Sequence, residues 1–203
     1  MNPVPKPKIS AEQFDQADQQ SALRALDVEI GKSKNISKIK PVQLLSAGGF
    51  VAVTLFRNRF ATEDIDYIIN PDTPNVDKIM DKFQAAIERM EIFVTGRNRQ
   101  SLFRDSVTQN VVLWRGANLI IYAAKWEWTM ARKLKRIGSE NRKIDLSDAV
   151  EILAKMVQEN GGPLALETVQ SWDTIVYTPL DMAAIKRVAD AYRERWGVDG
   201  INM

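Results

Sequence analysis

Apolar positions change their spacing along the chain, and each change predicts an element. Phe14, Ala17, Leu23, Leu26 and Ile30 fall roughly on one helical face. Ser10 stands where an N-cap belongs, which predicts a helix over about 11–30. The apolar run 42–47 ends in Gly48-Gly49, the pattern of a buried strand turning sharply into a helix, FVAVTLF. Residues 64–69 read as a strand stopped by Asn70-Pro71. Asn75 caps a helix to about residue 90 with Val76, Ile79, Met80, Phe83 and Ile87 as its buried stripe. Further strands are expected near 91–95, 107–114 and 118–123, with Arg115-Gly116 turning between the last two. After Ala124 the spacing is helical. Trp126, Met130, Leu134 and Ile137 share a face that Gly138 ends; Ala149, Val150, Leu153 and Val157 mark a helix over about 146–159; a last helix spans about 180–196.

This pattern predicts a mixed α/β fold, of the α+β kind, with a C-terminal helical region: a proline- and lysine-rich tail over 1–10, an α/β domain over 11–124 and helices over 125–203. Composition narrows the chemistry. Among 203 residues there is no cysteine and no histidine, which excludes thiol nucleophiles, imidazole bases, disulfides and Cys/His zinc sites. Catalysis would have to run on carboxylates, hydroxyls, lysine, arginine or bound ions. Carboxylate oxygens favour hard cations, so Mg²⁺ or Mn²⁺ is the metal class left open. A net charge of +2 is too small to argue nucleic-acid binding on its own. Apolar runs such as NLIIYAA fall far short of the roughly 20 residues that span a bilayer, and the N-terminus has no signal-peptide core. The expectation is a cytoplasmic protein with no membrane partner.

The stretch SAGGFVAVTLFRNRFATEDIDYII, residues 46–69, carries the candidate chemistry. Residues two apart on a strand share a face, so Asp64 and Asp66 would project side by side with Ile65 turned into the core. Two carboxylates that close repel unless a cation lies between them. A bound Mg²⁺ removes the repulsion and bridges phosphate oxygens, as phosphoryl or nucleotidyl transfer requires. Glycines at a strand-to-helix turn let backbone approach closely, and exposed helix amides favour phosphate. Each feature alone also has a plain structural reading, a solvated strand end and a common turn.

In this order and spacing the stretch resembles the nucleotidyltransferase-fold superfamily, whose members carry an apolar-Gly-Gly or Gly-Ser turn, a helix, and Asp-apolar-Asp on the neighbouring strand. Ala47-Gly48-Gly49 and Asp64-Ile65-Asp66 match, with a gap near the long end of the family's range. Arg59 and Thr62 look like the R-x-T-x-D-x-D lead-in of the antibiotic nucleotidyltransferases and a toxin-like subgroup. WEWTMARKLKRIGSENRKIDLSDAVEIL is similar to a later segment of that subgroup, with Lys133-Leu134 at its Lys-Leu pair and Asp145 and Asp148 at the start of the following helix. The resemblance covers about 42–155.

It implies a mixed sheet flanked by helices and Mg²⁺-dependent transfer of a nucleoside monophosphate from an NTP to a hydroxyl on a small molecule, protein or RNA. Gly48 and Gly49 would cradle the phosphates, Asp64 and Asp66 would be the catalytic metal ligands, and Arg59 and Lys133 would neutralise charge. The family also carries a third carboxylate on a later strand. The strand expected to carry it reads TQNVVLW, with Gln109 and Asn110 at the place, and amides cannot serve as a general base near neutral pH. Asp105 and Glu127 are the nearby acids; the first also reads as a loop residue, the second as a carboxylate favouring a helix dipole. The departure leaves open a degenerate enzyme, a transferase of the same fold acting on tRNA or aminoacyl-tRNA, and a non-catalytic nucleotide- or RNA-binding module.

A basic cluster follows. Arg132, Lys135 and Arg136 would form the outer face of the helix that buries Trp126, while Lys133 flanks its core and Arg142 and Lys143 lie beyond it. A solvated helix face explains each residue singly. Together with Arg57 and Arg59 they are candidate contacts for a triphosphate or an RNA backbone. Trp126, Trp128, Trp172 and Trp196 can stack on a base, although their apolar neighbours favour core packing for most of them. Asp145 and Asp148 are explained as carboxylates of a helix N-terminus.

Overall fold

The computed structural model describes residues 14–32, 34, 41–63, 65–74, 99–140 and 142–203. The expected tail, the helix over 75–90, the strand over 91–95 and Asp64 lie outside the described residues. The protein is mixed α/β, and it divides into two compact units, Met1–Phe103 with Asn110–Tyr122, and Arg104–Gln109 with Ala123–Met203.

In the first unit a two-residue strand, β1 (Phe14–Asp15), leads into helix α1 (Gln16–Lys32). The helix starts later than its apolar spacing suggests, because Asp15 is its cap: the Asp15 carboxylate accepts from the backbone N–H groups of Ala17 at 2.8 Å and Asp18 at 2.9 Å. Its buried face is Gln19, Leu23, Leu26 and Ile30. Strand β2 (Val42–Ser46) then runs into the Gly48-Gly49 turn. The helix after it is split, an α-helical turn α2 (Gly49–Val51) opening into a π-helical segment (Ala52–Phe56) that closes on Arg57 at φ 55°. The return passes through β3 (Ala61–Thr62), which pairs antiparallel with β1, to β4 (Tyr67–Ile69).

The main sheet is mixed, with strand order β4-β2-β6-β5, where β5 is Val112–Arg115 and β6 is Leu119–Ala123. Ser46 lies opposite Tyr67 and Leu44 opposite Ile69 in the antiparallel β2–β4 pair. The central strand β6 is buried along its length, which is why LIIYA reads as a continuous apolar run instead of an alternation. Leu23, Leu26 and Ile30 of α1 join Leu44, Phe50, Tyr67, Leu119 and Ile121 in one core cluster. Asp27 fastens the β5–β6 turn to α1: its carboxylate accepts from the N–H of Asn118 at 2.8 Å and of Ala117 at 3.2 Å, and a Cβ on Gly116 would strike it.

Two strand expectations are corrected. Residues 107–109 are helical, the end of α3 (Arg99–Gln109), and the chain leaves the helix through Asn110 at φ 57° before β5 begins at Val112. Phe103 and Ser106 are buried one helical turn apart, a helical spacing that the β-branched run Val107-Thr108 masks in the sequence. The strand expected over 64–69 pairs only from Tyr67.

The second unit packs three long helices, α4 (Trp126–Glu140), α5 (Lys143–Asn160) and α8 (Met182–Trp196). Between α5 and α8 lie β7 (Leu164–Ala165) and the short helices α6 (Leu166–Gln170) and α7 (Asp173–Val176); β7 pairs in parallel with β8 (Ile201–Asn202). Gly138 does not end α4, which continues to Glu140. It gives room to Asp181, whose Cβ stands 3.0 Å from where a Gly138 Cβ would lie, while the Asp181 carboxylate caps α8 by accepting from the Ala183 N–H at 2.9 Å. Gly161, at φ 74°, closes α5 as expected of a left-handed cap. Among the described residues no helix is long and apolar enough to cross a membrane.

Candidate functional site

The first unit gathers Gly48, Gly49, Arg59, Thr62 and Asp66, all nominated by the sequence, at the Gly48-Gly49 turn. Gly48 has φ 70° and ψ −138°, a backbone conformation open only to glycine. A Cβ there would stand 2.8 Å from Asp66 Oδ2, so the bare backbone is what lets the carboxylate approach the turn. Gly49 is closed in from the other side: its Cβ would collide with the Thr62 side chain and lie 3.6 Å from Arg59 Nη1. Ser46 ties the segment before β4 to β2, its hydroxyl donating to the Asp66 carbonyl at 2.6 Å. Ile65 is buried in the core, Asp66 is half-buried, and Asp64 lies outside the described residues.

Past the π-helical segment the chain opens a cleft of about 610 Å³, lined by the start of α1 and by Val53, Arg57, Asn58, Arg59 and Phe60. Arg57 is exposed and Arg59 half-buried. Arg59 belongs to both places, lining the cleft and reaching the Gly49 turn.

For a hard cation the donor set is partial. Asp66 supplies a carboxylate oxygen beside a glycine turn, the kind of donor Mg²⁺ takes. Among the described residues no group of three or more acids gathers as a metal-holding cluster. Neither β5 (VLWR) nor β6 (LIIYA) carries an acid. Gln109 is occupied elsewhere, accepting from the Trp126 N–H at 2.9 Å and donating to the Ala124 carbonyl at 3.5 Å, which makes it the cap of α4. Asn110 is an exposed turn residue. Asp105 is exposed beside Arg104, and Glu127 lies in the first turn of α4 with Lys125 at 3.4 Å.

Lys133 belongs to the second unit and is committed there. Its ammonium donates to Asp145 Oδ1 and to Asp148 Oδ2, both at 2.6 Å, with the lysine side chain 3% exposed and each aspartate 2%. Arg136 adds a 3.1 Å bond to Asp145 Oδ1, and Arg142 Nε lies 3.6 Å from Asp145 Oδ2. Burial alone would raise the Asp145 carboxyl. The Lys133 hydrogen bond and the charges of Lys133, Arg136 and Arg142 outweigh it and hold the group below the ordinary carboxylate value. Two of the three ammonium N–H groups of Lys133 are thus used, on a side chain that is 3% exposed. Sequence reasoning missed this cluster, although its signal was there: a lysine flanking one helix core opposite two acids, three apart, at the start of the next.

Of the remaining basic candidates, Lys135 is exposed and the Arg132 guanidinium lies 4.9 Å from the Trp128 ring centroid in a cation–π contact. Trp126 is buried with its indole N–H on Glu159 at 3.1 Å, and Trp172 is buried, whereas Trp196 is exposed.

No protein-family model, no curated protein and no solved structure matches this chain.

Proposed function

We propose that the protein is nucleotidyltransferase-like, binding an NTP with Mg²⁺ and moving its nucleoside monophosphate to a hydroxyl acceptor. The supporting observation is the convergence on one turn of Gly48, Gly49, Thr62, Arg59 and Asp66, residues nominated by separate parts of one motif and drawn together by contacts that only unsubstituted glycines allow. In the reaction the acceptor oxygen forms a bond to the α-phosphorus and the bond to the β-bridging oxygen breaks, with pyrophosphate carrying off the electron pair. Asp66, with Asp64 two residues before it, would hold the cation, which when bound neutralises triphosphate charge and polarises the α-phosphoryl group. Gly48 and Gly49 admit the phosphates to the backbone, and Arg59 balances their charge. The acceptor's proton needs a base.

The acid-free β5 and β6 favour a second reading, nucleotide binding without transfer. One experiment separates them. The full chain is incubated with Mg²⁺, each α-labelled NTP, and total tRNA, protein or small-molecule extract. Transfer that falls more than 100-fold in both Asp64→Asn and Asp66→Asn supports the enzyme. Mg²⁺-dependent NTP binding without transfer, abolished by Asp66→Asn, supports the binding module. Transfer that is unchanged in both variants removes the metal role from these aspartates.

A further inference from the structure

The cleft beside the glycine turn has a composition that a triphosphate does not explain. Its guanidinium groups, Arg57 and Arg59, suit phosphate oxygens. Asp15 apart, the rest of the wall is uncharged: the amides of Gln16 and Gln20 each both donate and accept, and Phe60, 41% exposed, adds an aromatic ring. The one acid in the wall, Asp15, already accepts two helix N–H bonds as the α1 cap. An aromatic face with amides around it suits a planar, neutral, hydrogen-bonding heterocycle. The volume lies within the range of small-ligand pockets.

From these groups we infer that the cleft is the nucleoside pocket of the same site, seating the base against Phe60 with its edge on the Gln16 and Gln20 amides, and that Arg59 spans base-side and phosphate-side subsites. The inference rests on the nucleotidyltransferase-like reading and adds to it the part of the substrate that is recognised. Aromatic stacking on a base is sequence-tolerant, so Phe60 supplies affinity and the amides supply the choice of base. Gln20 belongs to the second turn of α1 and Phe60 to the segment entering β3; the β1–β3 pairing of Phe14 with Thr62 and Asp15 with Ala61 fixes these two walls against each other.

The test is calorimetric titration of the full chain, in Mg²⁺, with inorganic tripolyphosphate and with the α,β-methylene analogues of the four NTPs. At least one analogue is expected to bind ten-fold or more tightly than tripolyphosphate. Phe60→Ala should erase that advantage, a loss of roughly 5- to 100-fold for the analogue, and leave tripolyphosphate affinity unchanged. Gln20→Ala should narrow the difference between analogues, and Arg59→Ala should weaken analogue and tripolyphosphate alike. Melting of each variant checks that it is folded. Tripolyphosphate binding with no analogue tighter, or an advantage that survives Phe60→Ala, overturns the pocket and leaves the phosphate site standing. Absence of binding by every probe overturns the nucleotidyltransferase-like reading and the pocket together.

Discussion

Replacing Lys133 with methionine tests whether the basic residue of the Lys-Leu pair serves the fold or a ligand. The substitution keeps an unbranched side chain, one heavy atom shorter, and removes its charge from between two carboxylates that are each 2% exposed. Asp148 loses a 2.6 Å contact; Asp145 loses another but keeps Arg136 at 3.1 Å. Removing one partner of a buried ion pair costs about 3–5 kcal/mol, because the remaining charge is left desolvated. With Arg136 still in place the lower end applies, about 3 kcal/mol. At about 2–4 °C per kcal/mol for a chain of this size, the midpoint should fall by about 6–12 °C at pH 7. Thermal and urea unfolding of the full chain measure it, followed by circular dichroism. The triple variant Lys133→Met, Asp145→Asn, Asp148→Asn removes all three charges and should recover most of the loss. Tripolyphosphate affinity, measured well below the melting range, should not change in Lys133→Met. A variant that melts like the wild type but has lost triphosphate binding refutes the reasoning, as does a triple variant no more stable than the single one.

Three further outcomes follow from the same geometry. Because the Asp145 carboxyl is held below its unfolded value of 3.8, the stability it contributes is present above that value and is lost as pH falls through the lower folded one; acid titration should therefore loosen the helical unit below about pH 4, and Asp145→Asn should flatten that part of the profile while lowering stability at pH 7. Gly48→Ala forces a side chain into a positive-φ position 2.8 Å from Asp66 Oδ2, so about 1–3 kcal/mol of stability should disappear together with Mg²⁺-dependent nucleotide binding, as unfolding and titration would show. If the acceptor is tRNA held by the outer face of α4, its binding should weaken with salt, and Arg132→Glu with Lys135→Glu should make the log–log slope shallower by about two; an unchanged slope excludes that face.

The elements most legible in the sequence were those whose signal is local. The α5 stripe, the Arg115-Gly116 turn, the apolar run of β6 and the Gly48-Gly49 break each depend on residues a few positions apart, and helical spacing or backbone permissiveness fixes them without outside help. The misread elements are those decided by contacts distant in sequence. TQNVVLW contains enough β-branched residues to read as strand, but Gln109 turns its amide to the backbone of Ala124 and Trp126, and the helix persists to that cap. Gly138 has the sequence signature of a helix stop, yet its lack of a side chain serves the approach of Asp181, more than forty positions later.

The candidate site divides along the same line. The motif nominated Gly48, Gly49, Arg59 and Asp66, and a local sequence could do so because the turn's chemistry is backbone chemistry: no side chain is tolerated at Gly48, and none fits at Gly49 against Thr62. The amphipathic reading of α4 put Lys133 beside the core but gave its charge no owner, since its two carboxylates come from the next helix and look, one at a time, like ordinary helix-start acids. That distinction bears on the chemistry. Among the described residues of the first unit, Arg59 reaches the glycine turn and Arg57 lines the cleft beside it, whereas the lysine that sequence similarity would assign to a phosphate is paired with two buried aspartates in the second unit.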